Sequence, residues 1–553
     1  MRHFCIYLIL LSCILLIFPG KSYGQLRMPG IPPSIKWDIS SDKIPEIMFN
    51  APDIEALSAE DQESPTPFRF AVTIPSDISP DRAGSWVSLP EGGKIWRVTV
   101  NLPGALAVSV YFDRFYIPEG GQLFLYNNNK QQVIGAFTSR NNSASGLFAT
   151  EMVYGDRVTL EYYSPDDNTG SLQLHINEIA YAYRGVDSPA GMNSPSNYAG
   201  SCEVNVHCSE GEDWQKQIKG VVRIQVKRSS SLFWCTGSVL NNTRRDHTPY
   251  VLTADHCGLY SSDSDLQEWV FYFNYEASGC DNPSIYPTPK SLTGAVLKAH
   301  GGGGGSTGSD FFLIRLNQDI PDSFDVFYQG WSRKDTMSPS GVVIHHPEGD
   351  LKKISTYRSN LTTTSWNGSG IPSHWKVIWV GTTNGHGVTE GGSSGSPLFD
   401  YKGRLVGTLT GGQSSCDSTD LNLPDYFGKF SYSWQSNGTD STSQLKPWLD
   451  PDNTGALKMD GWALSVPEIT HQTSLKIFPN PAGDRICISG EDITPGYYSI
   501  DIYDVIGELV NTQKKYKDAS GDLSVSINNL PGGIYCIRLR NDRWIYTGKI
   551  IKK

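Results

Sequence analysis

Six of the ten cysteines, Cys202, Cys208, Cys235, Cys257, Cys280 and Cys416, cluster in the middle of the 553-residue chain, and none forms a C-x-x-C pair. A zinc site would want such close pairs. The spacing therefore points away from a metal and toward disulfides, which require an exported chain. The N-terminus meets that condition. Arg2 and His3 precede an apolar run from Phe4 to Phe18, and Ser22-Tyr23-Gly24 places small residues where a signal peptidase cuts. The run is shorter than the roughly 20 residues of a spanning helix. Residues 1–24 are thus expected to be a signal peptide that takes Cys5 and Cys13 with it. An even set remains, completed by Cys487 and Cys536.

Hydrophobic residues make up 38% of the chain and charged residues 19%, a balance that supports folded domains. Fifty-five glycines, 33 prolines and 11% aromatics favour strands and turns, and hence an all-β class. The net charge of −11 argues against a nucleic-acid partner or a polybasic membrane patch. Residues 26 to about 90, rich in Pro, Asp and Ser, read as a loosely structured lead-in. From Lys94 strand-like runs begin, among them Ile95 to Val100, Leu123 to Tyr126, Val158 to Tyr163 and Leu172 to Ile176, and they predict a β-sandwich of about 100 residues. Gly185 to Gly200 reads as a linker, Cys202 to about Trp462 as a second domain, and Ser465 to Glu468 as a linker to a last β-rich unit. The five glycines Gly301 to Gly305 read as a mobile loop, because they lack the Gly-Lys-Ser/Thr ending of a phosphate cradle.

Three segments of the cysteine-bearing domain carry chemistry. A serine is a weak nucleophile until a base takes its proton, and the base needs a carboxylate to hold its tautomer. Tyr250 to Cys257 is an apolar strand ending in His256-Cys257. Ser309-Asp310 opens the apolar strand Phe311 to Leu316. Gly391-Gly392-Ser393-Ser394-Gly395 is a small-residue turn running into a strand. His345-His346-Pro347 competes for attention, but adjacent side chains on a strand face opposite ways, which suits structural roles better than a metal.

The T-A-x-H-C, S-D-F-x-L-x-x-L and G-x-S-G-x-P patterns, in that order, resemble the chymotrypsin-like serine proteases. Gly200-Ser201-Cys202, Cys235-Thr236-Gly237-Ser238, Ile344-His345-His346-Pro347, Gly387-Val388-Thr389-Glu390 and Trp448-Leu449-Asp450-Pro451 narrow the resemblance to the lysyl endopeptidase family. The resemblance implies two six-stranded β-barrels. It implies His256 as general base, Asp310 as its orienting acid and Ser394 as nucleophile, with the N–H groups of Gly392 and Ser394 as the oxyanion hole. It also implies the bridges Cys202–Cys416, Cys208–Cys280 and Cys235–Cys257. Asp425, nine residues after Cys416, matches the acid that would receive a lysine side chain, with Trp366, Thr410 and Gly411 lining the substrate site. Two departures stand out. The family stacks a tryptophan on a histidine near the active site; here the tryptophan is Trp366 but the histidine position is Thr410, so no such stack is expected. Ser393 replaces the aspartate that pairs with the new N-terminus in animal trypsins, so activity is expected to require removal of the N-terminal region without depending on one particular terminal residue.

Leu475 to Ala482, Ile502 to Gly507 and Leu530 to Tyr535 resemble a type A C-terminal sorting domain of the type IX secretion system. The expected layout is a signal peptide at 1–24, a β-rich propeptide at 25–195, a protease domain at 196–465 and a sorting domain at 470–553. The expected activity is hydrolysis after lysine through an acyl-enzyme, without cofactor or metal. The partners would be protein or peptide substrates and the secretion machinery. The chain would be a monomer, secreted by way of the periplasm. An arginine-tolerant protease and a non-catalytic surface adhesin on a protease scaffold are the alternatives.

Overall fold

The computed structural model describes residues 30–553 except 41–43, 65–66, 166–170, 187–198, 284–285, 464–474, 490–492, 494, 505–508, 519–521 and 541–544. The expected signal peptide and most of both linkers lie outside the described residues.

Alternating apolar residues build the N-terminal sandwich, since successive side chains on a strand face opposite sides. In one sheet Lys94–Asn101 pairs with Arg157–Ser164, which pairs in turn with Gln122–Asn127. In the other, Gln173–Ala182 lies between Phe68–Ile78 and Ala107–Tyr116. Val98, Val100, Leu125 and Leu160 of the first sheet share one core with Val108, Val110, Phe112 and Ile179 of the second. The lead-in before Lys94 is structured, contrary to expectation. Helix Ile54–Glu63 is capped by Asp53, whose carboxylate accepts the N–H of Ala56 at 3.0 Å. Phe68–Ile78 is an eleven-residue strand interrupted to the eye by Pro75. Its partners lie far along the chain, Ile74 opposite Ile179 for instance, so no local pattern announces it.

Two β-barrels follow. In the first, Val221–Arg228 pairs with Ser231–Leu240 and Val270–Phe273, while Tyr250–Thr253 joins Ser231–Leu240 to Phe311–Leu316. Lys290–Thr293 pairs with Val270–Phe273, and after Gly294, at φ +89°, Ala295–Gly301 pairs with Phe311–Leu316, which closes the barrel. In the second, Lys353–Tyr357, Gly341–His345, Pro397–Asp400, Leu405–Gly412, Asp425–Lys429 and His374–Val377 pair in that order. A bond from the N–H of Val380 to the carbonyl of Thr356, at 3.0 Å, joins the ends. Disulfides link Cys202–Cys416, Cys208–Cys280 and Cys235–Cys257, whereas Cys487 and Cys536 are free.

The sandwich and barrels form one compact unit ending at Leu464. Phe68–Ile78 adds to the edge of Ser231–Leu240, with Val72 opposite Ser231 and Phe68 opposite Trp234, so a single sheet runs through both. The rings of Phe70 and Trp234 stack at 3.9 Å, and the Trp234 indole N–H donates to the carbonyl of Gly185 at 2.7 Å. Lys227 of the first barrel bridges Glu178 of the sandwich and Glu268, at 2.5 and 2.7 Å. The second unit, from Ser465, holds a three-stranded and a four-stranded sheet around Ile486, Ile500, Val525, Ile537 and Leu539.

Phe70 is fully buried. Phe70→Ala should destabilise the full chain by about 3 kcal/mol, the lower end for deleting a buried phenyl ring. Urea unfolding followed by tryptophan fluorescence measures it, and a loss below about 1 kcal/mol would deny the stack its structural role.

Candidate active site

His256 sits on the single helical turn Asp255–Gly258 that follows strand Tyr250–Thr253. Its backbone N–H donates to one oxygen of Asp310 at 2.9 Å and its ring Nδ1–H to the other at 2.8 Å. That tautomer leaves Nε2 as the proton acceptor, and Nε2 is buried without a hydrogen-bond partner. Asp310 is fully buried and holds the left-handed backbone, φ +54°, that few non-glycine residues adopt. Its own carbonyl accepts the N–H of Asp255 at 3.2 Å, which locks the two segments together. Arg228 donates to the carbonyls of His256 and Cys257. Burial draws the Arg228 guanidinium down to about 10, still cationic at neutral pH.

The turn Gly391 to Gly395 is held by its carbonyls. Gly391 accepts from the N–H of Glu348 at 2.5 Å, Gly392 from the Thr236 hydroxyl at 2.9 Å and Ser394 from the N–H of Thr236 at 2.8 Å. The N–H groups of Gly392 and Ser394 bond to no acceptor among the described residues. Glycine is required at 395, where φ is +85° and a β-carbon would meet Thr253 Oγ1 at 2.1 Å. The disulfide Cys235–Cys257 ties the strand beneath this turn to the helical turn of His256.

Asp425 opens strand Asp425–Lys429 and is fully buried. One oxygen accepts from the Trp379 indole at 2.6 Å, the Thr389 hydroxyl at 2.7 Å and the Ser414 hydroxyl at 2.6 Å. Among the described residues the other accepts only the Ser414 N–H, at 3.2 Å. Burial raises this carboxyl above its ordinary value, opposed by those hydrogen bonds. A β-carbon at Gly412 would fall 1.8 Å from the less engaged oxygen, so the space before it depends on glycine.

The structure corrects the expectation that Trp366 lacks an imidazole neighbour. His374, from the adjoining strand His374–Val377, stacks on Trp366 with centroids 6.1 Å apart and planes at 27°. Thr410 bonds His374 Nε2 at 3.0 Å, and Ser373, whose hydroxyl donates to the carbonyl of Gly308, bonds its Nδ1 at 2.9 Å. Burial lowers His374 to about 4, so the ring is neutral, protonated on Nδ1 and accepting from Thr410. Trp366 also meets Tyr426 edge-on at 5.6 Å, and a β-carbon on Gly411 would lie 3.1 Å from it. The glycine run is a folded turn against these groups. Gly304 donates to Asp255 at 3.1 Å, and a β-carbon on Gly305 would lie 2.7 Å from Trp366.

His345, expected to be structural, and three residues that sequence reasoning passed over complete the site. His345 bonds the hydroxyl of Ser393, beside Ser394, at 2.8 Å, and that of Ser355 at 3.1 Å. Burial lowers His345 to about 3, so it is a neutral strut. Trp379, Thr389 and Ser414 hold Asp425; only the match around Gly387 to Glu390 hinted at that neighbourhood.

Replacing both Cys235 and Cys257 by alanine removes a bridge spanning 22 positions. A loss of about 3 kcal/mol in unfolding free energy is expected, read by urea denaturation; unchanged stability would mean that the noncovalent contacts alone hold this corner.

Residues 196–428 match the lysyl endopeptidase C-terminal domain family, and residues 476–553 match the secretion system C-terminal sorting domain family. A lysyl endopeptidase of Pseudomonas aeruginosa is 28% identical over 363 residues, covering 63% of this chain and 75% of that protein. A secreted RxLR effector protein 73 of Plasmopara viticola is 22% identical over 334 residues, covering 57% of this chain and 76% of that protein. The chain is therefore a secreted protein with a C-terminal secretion sorting domain, and its residues 196–428 are similar to the lysyl endopeptidases.

Proposed function

We propose that the chain is a serine endopeptidase that cleaves after lysine. The observation that carries this reading is the set His256, Asp310 and Ser394: an imidazole held by a buried carboxylate at 2.8 Å, its free Nε2, and a turn whose two amides are unengaged. Ser394 attacks the scissile carbonyl as His256 Nε2 takes its proton, and Asp310 stabilises the resulting imidazolium. The tetrahedral oxyanion accepts the N–H groups of Gly392 and Ser394. His256 then protonates the leaving amine, and water activated by the same base hydrolyses the acyl-enzyme. No hydrogen bond joins His256 Nε2 to Ser394, and such contacts commonly tighten when substrate binds.

Lysine preference is assigned to Asp425. A desolvated ammonium needs an opposing carboxylate, and the oxygen of Asp425 that takes a single backbone N–H retains a lone pair for it. Trp366, Thr410 and Gly411 form the wall beside it. Residues 25–195 act as a propeptide ahead of the protease domain at 196–465. Residues 470–553 are presented to the type IX secretion machinery. The enzyme works as a monomer on protein or peptide substrates and draws on no cofactor.

Ser394→Ala should abolish peptide hydrolysis with the fold retained, and His256→Ala should do nearly the same because the two act as a unit. Full activity of Ser394→Ala in a fluorogenic peptide assay would refute the assignment. Asp425→Asn keeps the volume and removes the charge. A fall of two or more orders of magnitude in kcat/KM on lysyl substrates is expected, the scale of about 3 kcal/mol for stranding a buried charge. Because the folded carboxyl is raised, wild-type lysine cleavage should weaken on acidification at a higher pH than an ordinary aspartate would dictate. Mass spectrometry of a digested protein mixture reads both residue preference and its loss; an unchanged lysine preference in Asp425→Asn would assign the task to another acid.

A further inference from the structure

Behind the nucleophile turn, Glu203, Glu348, Asp350 and Glu390 bring four carboxylates into the interior. Glu390, four residues before Ser394, accepts the backbone N–H of Gly200 on both oxygens, at 2.9 and 3.2 Å. Asp350 accepts the N–H of Ala199 at 3.3 Å. The Glu203 side chain is 1% exposed, neither of its oxygens makes a hydrogen bond among the described residues, and the ring Nε2 of His345 lies 3.6 Å from one of them. Its carboxylate lies within 4.8 Å of that of Glu390. Burial raises all four carboxyls, with neighbouring carboxylates adding to the effect on Glu203, Glu348 and Glu390; Glu348 reaches about 7.

The cations around them are few. Lys353 lies 3.7 Å from Asp350 but is shared with Asn205 and Asn282. Arg223 favours ionised Asp350 from among the rings of Trp234, Tyr272 and Tyr275. Arg184 favours ionised Glu348, and it belongs to the N-terminal side: it pairs with Asp61 at 3.0 Å, donates to the carbonyl of Arg69 and lies over the ring of Phe68 at 4.3 Å. Removing the N-terminal region takes Arg184 away from Glu348. A metal ion is poorly served, since Cys416, beside Glu203 and Glu390, is bonded to Cys202 and has no thiolate to offer. The backbone nitrogens of Ala199 and Gly200 are already in place. A β-carbon at 200 would lie 2.5 Å from the Cys416 sulfur, so this segment fits with its nitrogen, and no side chain, against Glu390.

We propose that hydrolysis of the peptide bond before Ala199 or Gly200 converts that nitrogen into an α-ammonium, which supplies a cation to the poorly compensated Glu390, Asp350 and Glu203 cluster and fixes the turn of Gly392 and Ser394. Water supplies the balance: the new carboxylate leaves with the N-terminal piece, and the freed amine takes up a proton. Glu390 is a positioning residue, because its carbonyl accepts the N–H of Ser393 at 3.0 Å and its N–H donates to the Ser393 hydroxyl at 3.3 Å. Glu348 holds the carbonyl of Gly391. The charge missing at Ser393 is thus provided from Glu390, and the terminal residue does matter, against the expectation from Ser393 alone. The inference rests on the serine protease reading.

The test starts from the full chain folded as a zymogen, with a factor Xa site (Ile-Glu-Gly-Arg) replacing residues 195–198, so that cutting leaves Ala199 first. A second version carries the site at residues 192–195 and leaves Ser196 first. Both are cut after folding, and the N-terminal piece is separated, so a folding failure cannot produce a difference between them. The form beginning at Ala199 should hydrolyse a lysyl peptide with kcat/KM at least tenfold above the form beginning at Ser196. Carbamylating its α-amine with cyanate, or introducing Glu390→Gln, should cause a similar loss. Smaller differences throughout, with both forms active, would overturn the proposal and leave the protease reading standing. Inactivity of both forms would overturn the two together.

Discussion

Thr236 is the point at which the two barrels are joined. From the first barrel its N–H reaches the carbonyl of Ser394 at 2.8 Å, its hydroxyl donates to the carbonyl of Gly392 at 2.9 Å, and the same hydroxyl accepts the N–H of His346 at 3.1 Å. Thr253 donates to the carbonyl of Thr236 at 2.8 Å from the strand that leads into His256. His256 and Ser394 belong to different barrels, and buried backbone groups left unpaired at their junction would each cost on the order of 1–3 kcal/mol. Satisfying them dictates where the turn of Ser394 lies relative to His256. The close approach at Gly395 is the steric counterpart of the same constraint.

Buried carboxylates are the second organising theme. Asp310 and Asp425 are each surrounded by donors, which offsets the cost of taking a charge out of water. The cluster of Glu203, Glu348, Asp350 and Glu390 is less well compensated, and its nearest donors come from the chain segment that connects sandwich to barrels.

Continuity of one sheet through the sandwich and the first barrel gives the N-terminal region a direct mechanical link to the protease fold. The connection runs along Ser231–Leu240, the strand that also carries Cys235 and Thr236. The contact at Trp234 therefore bears on the same strand that supports the turn of Ser394.

The sequence by itself determined the all-β class, the exported and disulfide-bonded character of the chain, and the segments bearing His256, Asp310, Ser394 and Asp425. Those are local matters: strand alternation, turn residues and short motifs in a fixed order are written within a few neighbouring positions. Tertiary structure alone decided that the stretch before Lys94 supplies the strand that joins sandwich and first barrel into one sheet, that His374 and not position 410 brings an imidazole to Trp366, that His345 supports Ser393, and that Glu390 meets the N–H of Gly200. All of these contacts except that of Trp366 with His374 join residues tens to nearly two hundred positions apart. Which of many similar side chains meets a given partner depends on barrel closure and strand register, and a one-residue change of register reverses the face that every side chain on a strand presents.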